Sequence, residues 1–464
     1  MESINLFEAT GLPALPLGVA KGVSAIVARG RGAYPGEIRG PYTTLSEARS
    51  EMDHVVAGDL DDFGHTAAYR FIREFMANGG SKIYVIEPVI SATQTIVTTL
   101  GTGSQRIFAL TGGTTNVAIP GTLHVTVTAA DKIEGTDFIV DYSGKRVCFK
   151  TAPILSAPIV VTWKEYVASD NVTALASLES MADVTLVSGA YLYLNALSED
   201  IKDHCISCAS RARHRIGWIS GAYKNTADII TSATGTGQSK YMNFWANRSG
   251  YFNDNLLDPS VTWMEFIDPA ACILGRGSRE NPWKTMHEKT MQNLNQVSEF
   301  TTTEITALIA AKVNYFTANQ RGGWISKHGY LTDPSGVYPY IDVMRTWIYV
   351  GSKSRNDLDA QNLIGEIQIT DDQYLRVESV IMNTLRSINR EGGIGDPDKL
   401  AIAIPGLKPV TSELLDAFKT AESQRSDYQL SLIQTSQQVR KDSVHISYDY
   451  LGNLHGLDLY LGGY

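Results

Sequence analysis

Residues 65–89, HTAAYRFIREFMANGGSKIYVIEPV, constrain the fold more than any other stretch of the chain. Ala68, Phe71, Ile72 and Phe75 recur at the three- and four-residue spacing that places them on one face of a helix. Gly79–Gly80 stops that helix, because glycine takes the left-handed backbone of a helix C-terminus without a Cβ clash. The chain then runs directly into SKIYVIEPV, whose unbroken apolar centre is the pattern of a buried strand. An earlier apolar run, Val23 to Ala28, supplies a strand on the other side of the helix. Strand, helix and strand together predict an α/β unit.

Between the first strand and the helix lies a Gly- and Pro-rich loop, GRGAYPGEIRGPY, after which Thr43–Thr44 or Ser46 is placed to cap a short helix. Beyond residue 90 the texture changes. Residues 91–167 are rich in Thr, Val and Gly, and Val125 and Val127 alternate with His124, Thr126 and Thr128. FIVDY and VCFK flank Ser143–Gly144 as the arms of a hairpin, and IVVTWKEY follows. This segment reads as a small antiparallel β-sandwich or barrel inserted into the α/β domain. The α/β texture returns with a helix around Val172–Met181, the strand DVTLVSG, a helix from about Ser198 to Arg213 and the strand RIGWISG. YMNFWANRSGYFND and VTWMEFIDPAACILGRG read as the remaining strands of the same sheet.

The last third predicts a helix at Glu304–Ala311, an aromatic strand VNYFTANQRGGWISKHG, a helix through IDVMRTWIYV and a long amphipathic helix from Asp371 to Arg390. Gly392–Gly393 ends that helix, another follows Pro409 (TSELLDAFKTAESQ), and the strands YQLSLI and SVHISYDY come after it. The expected fold class is therefore α/β (α+β) and multi-domain. It has an N-terminal extended arm (1–20), an α/β domain in two parts (21–90 and 168–300) around the β insertion (91–167), an α+β C-terminal domain (301–442) and a C-terminal strand arm (443–464).

The two arms are the first candidate functional elements. Leu12, Leu15 and Leu17 stand in a Pro-containing stretch without helical or strand periodicity and need a partner surface. Val444, Ile446 and Tyr448 alternate along SVHISYDY, and Leu457, Leu459 and Leu461 alternate with Asp458 and Tyr460. Strands this regular require an edge to pair with. On the long C-terminal helix, Arg376, Arg386 and Arg390 can form a basic contact face or a solvated one.

A formal charge of −9 and a pI near 5.5 argue against a nucleic-acid partner. No apolar run reaches the roughly 20 residues of a spanning helix, and the opening MESINLFEATGLPALPLG has no basic region before an apolar core, so the expected site of synthesis and use is a cytoplasm, without membrane insertion. Cys148, Cys205, Cys208 and Cys272 are too scattered for a disulfide framework. Cys205-Ile-Ser-Cys208, after His204, has no second ligand pair and lies mid-helix, so buried helical cysteines are favoured over metal or redox chemistry.

Other motif fragments fail on spacing. Gly235–Lys240 lacks the glycine before the lysine of a phosphate loop, and Gly30, Gly32 and Gly36 do not form a dinucleotide fingerprint. His287-Glu288 has Met291 where a second imidazole would be needed. Asp59, Asp61 and Asp62 suit a solvated helix start better than a calcium loop. Trp245, Trp263, Trp283, Trp324 and Trp347 read as packing residues. No catalytic residue, cofactor or metal site is expected.

GVSAIVARGRGAYPGEIRGPYTTLSEARSEM resembles the opening of contractile phage tail sheath proteins. AAYRFIREFMANGGSKIYVIEPV is similar to their helix, Asn-Gly-Gly stop and strand, through Phe75, Asn78, Gly79, Gly80, Tyr84 and Val85. EGTDFIVDYSGKRVCFKTAPILSAPIVVTWKEY resembles the β domain inserted after that strand, with Phe138 in place of the usual tyrosine. Further on, ASLESMADVTLVSGA, the register of Arg279, Trp283 and Lys284, and YPYIDVMRTWIYV resemble the later sheath segments. The resemblance implies a non-enzymatic subunit, without cofactors, of the phage tails and contractile injection systems that polymerise helically around a tail tube and contract to drive it through a cell envelope. It implies an outermost β domain, a C-terminal domain facing the tube, and arms that add strands to neighbouring copies. The implied partners are further copies of the chain, the tube protein, and baseplate and tail terminator proteins, in a virion assembled in the host cytoplasm. A tube or baseplate component and a doubly wound nucleotide-dependent enzyme are the competing readings.

Overall fold

The computed structural model describes residues 22–53, 66–110, 122–166, 170–189, 195–222, 226–247, 268–361 and 371–393, apart from short breaks inside them, with two-residue strands at 402–403 and 445–446. The first strand is β1 (Val23–Val27), buried along its whole length. The segment expected as a loop contains a strand, β2 (Ile38–Tyr42), antiparallel to β3 (Ile83–Ile86). Gly40 and Pro41 shift its register between Arg39 and Tyr42 but do not prevent pairing, because an edge strand tolerates a residue without an N–H. Helix α1 (Leu45–Met52) starts in a capping box between Thr44 and Glu47.

Helix α2 (Ala67–Ala77) buries Phe71, Ile72 and Phe75 completely. It ends in a Schellman turn: the Gly80 N–H donates to the Phe75 carbonyl at 3.0 Å, the Gly79 N–H to Met76 at 2.9 Å, and Gly79 has φ +95°. A Cβ on Gly80 would lie 2.2 Å from the Phe75 ring, so the second glycine is required by packing.

The chain then enters the β segment: β4 (Ile90–Leu100), β5 (Ile107–Ala109), β6 (His124–Val127), β7 (Ala130–Lys132), β8 (Phe138–Asp141), β9 (Arg146–Phe149) and β10 (Pro158–Tyr166). They form two antiparallel sheets, β4-β10-β6-β7 and β5-β9-β8. Phe108, Val125, Phe138, Ile159 and Trp163 fill a hydrophobic core between them that is separate from the main one.

Next come α3 (Asp170–Leu178), β11 (Val184–Gly189), α4 (Asn195–Ser210), β12 (Ile216–Ala222), α5 (Thr226–Thr234) and β13 (Met242–Asn247). Strands from both sides of the β segment share one six-stranded sheet, ordered β13-β12-β11-β1-β3-β2, in which all pairs but β2–β3 are parallel. Both faces of such a sheet must be covered, and α4 and α6 (Pro269–Arg279) both pack against β11 and β12.

Residues 269–279 had read as a strand and are this helix. Asp268 caps it and Pro269 occupies its first turn, so the Asp-Pro pair marks a helix start. Its small residues allow close contact with α2: a Cβ on Gly275 would lie 2.1 Å from the Phe75 carbonyl oxygen.

The C-terminal part contains β14 (Thr290–Met291), α7 (Thr302–Ala310), β15 (Tyr315–Ala318), β16 (Trp324–Lys327), α8 (Ile341–Ala360), α9 (Asp371–Arg390), β17 (Ile402–Ala403) and β18 (His445–Ile446). The expected single aromatic strand is instead the hairpin β15–β16, with Gly322 and Gly323 at φ +85° and +83°. Helix α8 continues ten residues beyond IDVMRTWIYV, to Ala360. The α9 end repeats the Schellman turn of α2, with Gly392 at φ +83° and the Gly393 N–H donating to Ile388 at 3.0 Å. VTWMEFI, Trp263, the Asp59–Asp62 cluster, TSELLDAFKTAESQ and YQLSLI lie outside the described residues.

Candidate assembly site

The sequence offered one potential centre of chemistry, the Cys-x-x-Cys pair, and the structure places it in a buried polar cluster. Arg215 is fully buried; its Nη1 donates to His204 Nε2 at 2.7 Å and its Nη2 to the carbonyls of Leu178 and Met181 at 2.7 and 2.5 Å. A guanidinium only donates, so His204 is neutral with its proton on Nδ1. Burial, with the Arg215 charge, pushes the His204 pKa down to about 4. Cys208 Sγ lies 3.6 Å from the same Nε2. Glu179, His204 and Cys208 bring ligand atoms within 4.8 Å of one another, a spacing compatible with a metal ion.

The donor set does not fit one. Arg215 already occupies the imidazole lone pair with a positive charge, burial pushes both thiols above their usual range, and the Glu179 oxygens accept from Ser207 and Arg211. The cluster ties α3 to α4 and to the start of β12. Arg215 carries it, and as a lone arginine before a strand it gave no sequence signal.

The second place to look for chemistry is the crevice at the carboxyl ends of β1 and β11, where the strand order reverses. Nucleotide sites there rely on a helix N-terminus directly after the first strand. Here β1 leads through Gly30 to the edge strand β2, and the buried Glu87, which follows β3, packs against Gly30. A Cβ at Gly30 would lie 1.7 Å from Glu87 Oε1, and the Tyr34 N–H donates to Oε2 at 3.3 Å. A buried carboxylate beside Gly30 repels a phosphate there, so among the described residues the end of β1 offers no nucleotide cradle.

The edges of the main sheet are managed differently from each other. The β13 edge is covered by the C-terminal part: the Ala246 N–H donates to the Asn314 carbonyl at 2.8 Å, and the Asn314 and Thr332 N–H groups donate to Phe244 and Met242, each at 2.9 Å. The Asn314 side chain completes the joint. Its Oδ1 accepts from the N–H groups of Gly329 and Tyr330, and its Nδ2 donates to the carbonyls of Phe244 and Tyr330. At the other end of the sheet, Gly40–Pro41 breaks the ladder of β2. Asn78, in the Asn-Gly-Gly stop, also joins the parts: the Gln292 N–H donates to its Oδ1 at 2.8 Å and its Nδ2 donates to the Gln292 carbonyl at 3.1 Å.

Of the arm residues, Ile446 lies on β18, opposite Ile402 of β17 in an antiparallel pair. Leu12, Leu15, Leu17, Val444, Tyr448, Leu457, Leu459 and Leu461 lie outside the described residues. Helix α9 buries Val377, Ile381, Leu385 and Ile388 and packs on α8, where Thr384 donates to Asp357 at 2.5 Å. Its opposite face carries Arg376, Ser379, Asn383, Arg386 and Arg390, all exposed. From Arg376 to Arg390 this stripe extends about 21 Å.

No family model matches the chain, and no curated protein matches its sequence. Among solved structures it is similar to a chain of the anti-feeding prophage baseplate, with TM-score 0.57 and 12% identity over 98% of this chain and 97% of that one. It is also similar to the contracted helical sheath of the anti-feeding prophage, with TM-score 0.54 and 12% identity over 98% and 95% of the two chains. The chain has the fold of a contractile sheath subunit. A contracted sheath complex of the extracellular injection system PVC gives the same result, with TM-score 0.54 and 12% identity over 98% and 96%.

Proposed function

We propose that the chain is a sheath subunit of a contractile tail or injection particle, a structural protein that polymerises helically around a tail tube and contracts to drive the tube through a cell envelope. The observation that carries the proposal is the fold likeness over 98% of the chain, which takes in the β insertion as well as the sheet and the C-terminal part. The buried Arg215 cluster, whose donors and acceptors are used to join α3, α4 and β12, favours structure over catalysis. The wider partners are the tube protein and baseplate and terminator proteins, in a particle assembled in a host cytoplasm.

In this reading the β insertion (91–167) lies outermost, the two-part α/β domain is the body, and the C-terminal domain (301–442) faces the tube. The short β17–β18 ribbon supports strand exchange, because two strands alone are marginal in water and gain from strands donated by other copies. Leu12, Leu15 and Leu17, and Val444, Ile446, Tyr448, Leu457, Leu459 and Leu461, belong to the exchanged segments, with β18 paired in the single chain to its own β17. Contacts of this heterologous kind do not close, and so they build a helix. The exposed stripe of Arg376, Arg386 and Arg390 is the tube-facing surface.

Negative-stain microscopy of the purified chain should show striated hollow tubes; compact particles stabilised by nucleotide would refute the reading. Deleting residues 1–18 or 443–464 should leave a folded monomer that does not polymerise, and normal tubes from either truncation would remove the role of the arms. Reversing all three arginines to glutamate should spare self-assembly and abolish docking on the tube.

A further inference from the structure

The two most exposed large apolar side chains among the described residues sit side by side at the tip of the β insertion: Ile154 at 76% and Leu155 at 71%. Leu100, 59% exposed, ends the strand beside them, opposite Pro158. The tip is rigidly built. The Gly101 N–H donates to Ala157 at 2.8 Å, Ser156 to Gly101 at 2.7 Å and Gly103 to Pro153 at 3.1 Å. A Cβ on Gly101 would lie 2.3 Å from the Ile154 carbonyl oxygen, so the two loops touch through backbone. Six main-chain groups are thus spent on holding apolar side chains out in water, which is how a preorganised binding anchor is made. The collar is basic: both loops spring from Arg106 and Lys150, which are joined by an Nη1 to carbonyl hydrogen bond at 3.3 Å.

A surface of the opposite character lies on the α3–α4 layer of the same chain. Val172 (57% exposed) and Ile206 (45%) are its apolar members. Glu199, Asp200 and Asp203 stand on α4 with Lys202 as the cation among them, at 4.0 Å from Glu199 and 3.5 Å from Asp203. Burial, with the charges of Asp203 and Glu199, raises the Asp200 carboxyl above its ordinary value, which marks the excess of negative charge there. The two helices lead into neighbouring parallel strands and so run parallel, and Glu179 at the end of α3 meets Ser207 and Arg211 at the end of α4. Val172 therefore lies beside the Asp200–Asp203 turn.

We propose that the Ile154–Leu155 tip of one copy docks on the Val172–Ile206 surface of α3 and α4 of a neighbouring copy, with the basic collar against the acidic turn. The proposal rests on the reading of the chain as a self-assembling subunit and names a contact outside its arms. The contact is heterologous, joining two different patches, and so it propagates along an array without closing. The opposite charges of the two patches favour a second copy of this acidic chain over an anionic lipid surface, which would take the same basic, apolar tip.

The test uses the full chain. The native cysteines Cys148, Cys205, Cys208 and Cys272 are buried, so introduced thiols report on the surface. Leu155→Cys and Ile206→Cys variants, mixed and mildly oxidised, should give a reducible intermolecular dimer, and the double variant a ladder. Dimers of Leu155→Cys with itself, or none while tubes form, overturn the contact and leave the sheath reading intact. A ladder without tubes supports the contact and removes the sheath reading. Neither ladder nor tubes removes both.

An Ile154→Ser/Leu155→Ser chain should need at least about tenfold more subunit to assemble, since burial of even one of the two side chains is worth that much. Asp203→Lys should weaken assembly severalfold, and Lys150→Glu added to it should recover most of the loss. No change from any of these variants overturns the proposal, as does binding to phosphatidylserine vesicles that the Ile154→Ser/Leu155→Ser chain loses while its assembly is unaffected.

Discussion

The six-stranded body and the β insertion handle apolar surface in opposite ways. The body covers both faces of its sheet with helices, covers the β13 edge with Asn314 and Thr332, and breaks the β2 edge at Gly40–Pro41. The insertion encloses its own small core and leaves Ile96, Leu100, Ile154 and Leu155 exposed. The difference separates stability from interaction. Apart from Leu45, Val172 and Ile206, the large hydrophobic residues described in the body are held in by their neighbours, whereas the more exposed ones on the insertion are available to a partner.

If the two cores are independent, damage to one should not reach the other. The largest effect is expected from Trp163→Ala, which empties the centre of the insertion core. It should destabilise that module by about 3–5 kcal/mol, giving a separate, lower calorimetric transition while the main one stays in place. A single transition that moves as a whole would break the comparison.

The next effect comes from the body alone and is driven by pH. His204 is held neutral, with its pKa lowered from 6.5 to about 4, so its contribution is complete above pH 6.5 and is lost as pH falls towards about 4. That loss is on the order of 3 kcal/mol. Chemical denaturation followed between pH 7 and pH 4 should show it in the body's transition, and His204→Gln, which keeps an acceptor for Arg215, should flatten the slope.

Asn314→Ala removes the side chain that joins β13 to Gly329 and Tyr330. Leaving those backbone groups unpaired should cost about 2 kcal/mol, seen as a lower melting temperature of the body with the insertion unchanged. Gly79→Ala is the smallest change. The φ of +95° and the 2.6 Å approach of a Cβ to Arg279 Cδ predict a loss of about 1–2 kcal/mol, measured by urea titration.

Regular periodicity and paired glycines were the legible features. The Asp371–Arg390 helix appears with the boundaries the sequence implied, because its apolar face at Val377, Ile381, Leu385 and Ile388 and its Gly392–Gly393 stop agree with each other. Helix α2 and the hairpin arms β8 and β9 were legible for the same reason. The sequence misled where a breaker residue had a second meaning. Asp268–Pro269 starts a helix and can equally end a strand, and Gly40–Pro41 decorates an edge strand and can equally mark a loop. Side chains that join distant elements were not legible at all. Arg215 and Asn314 have local contexts unlike any motif, and only the fold brings their partners together.

The way the chain enters and leaves the insertion has a consequence for its history. Strands β4 and β10 run antiparallel down to Ile90 opposite Tyr166, so the first and last residues of the module stand one strand spacing apart, about 5 Å. A module whose two ends meet can be excised, shortened to a hairpin or exchanged for an unrelated domain without altering the path of the sheet on either side. The insertion is in that sense a cassette. Its surface can diverge while the six-stranded body keeps its own geometry.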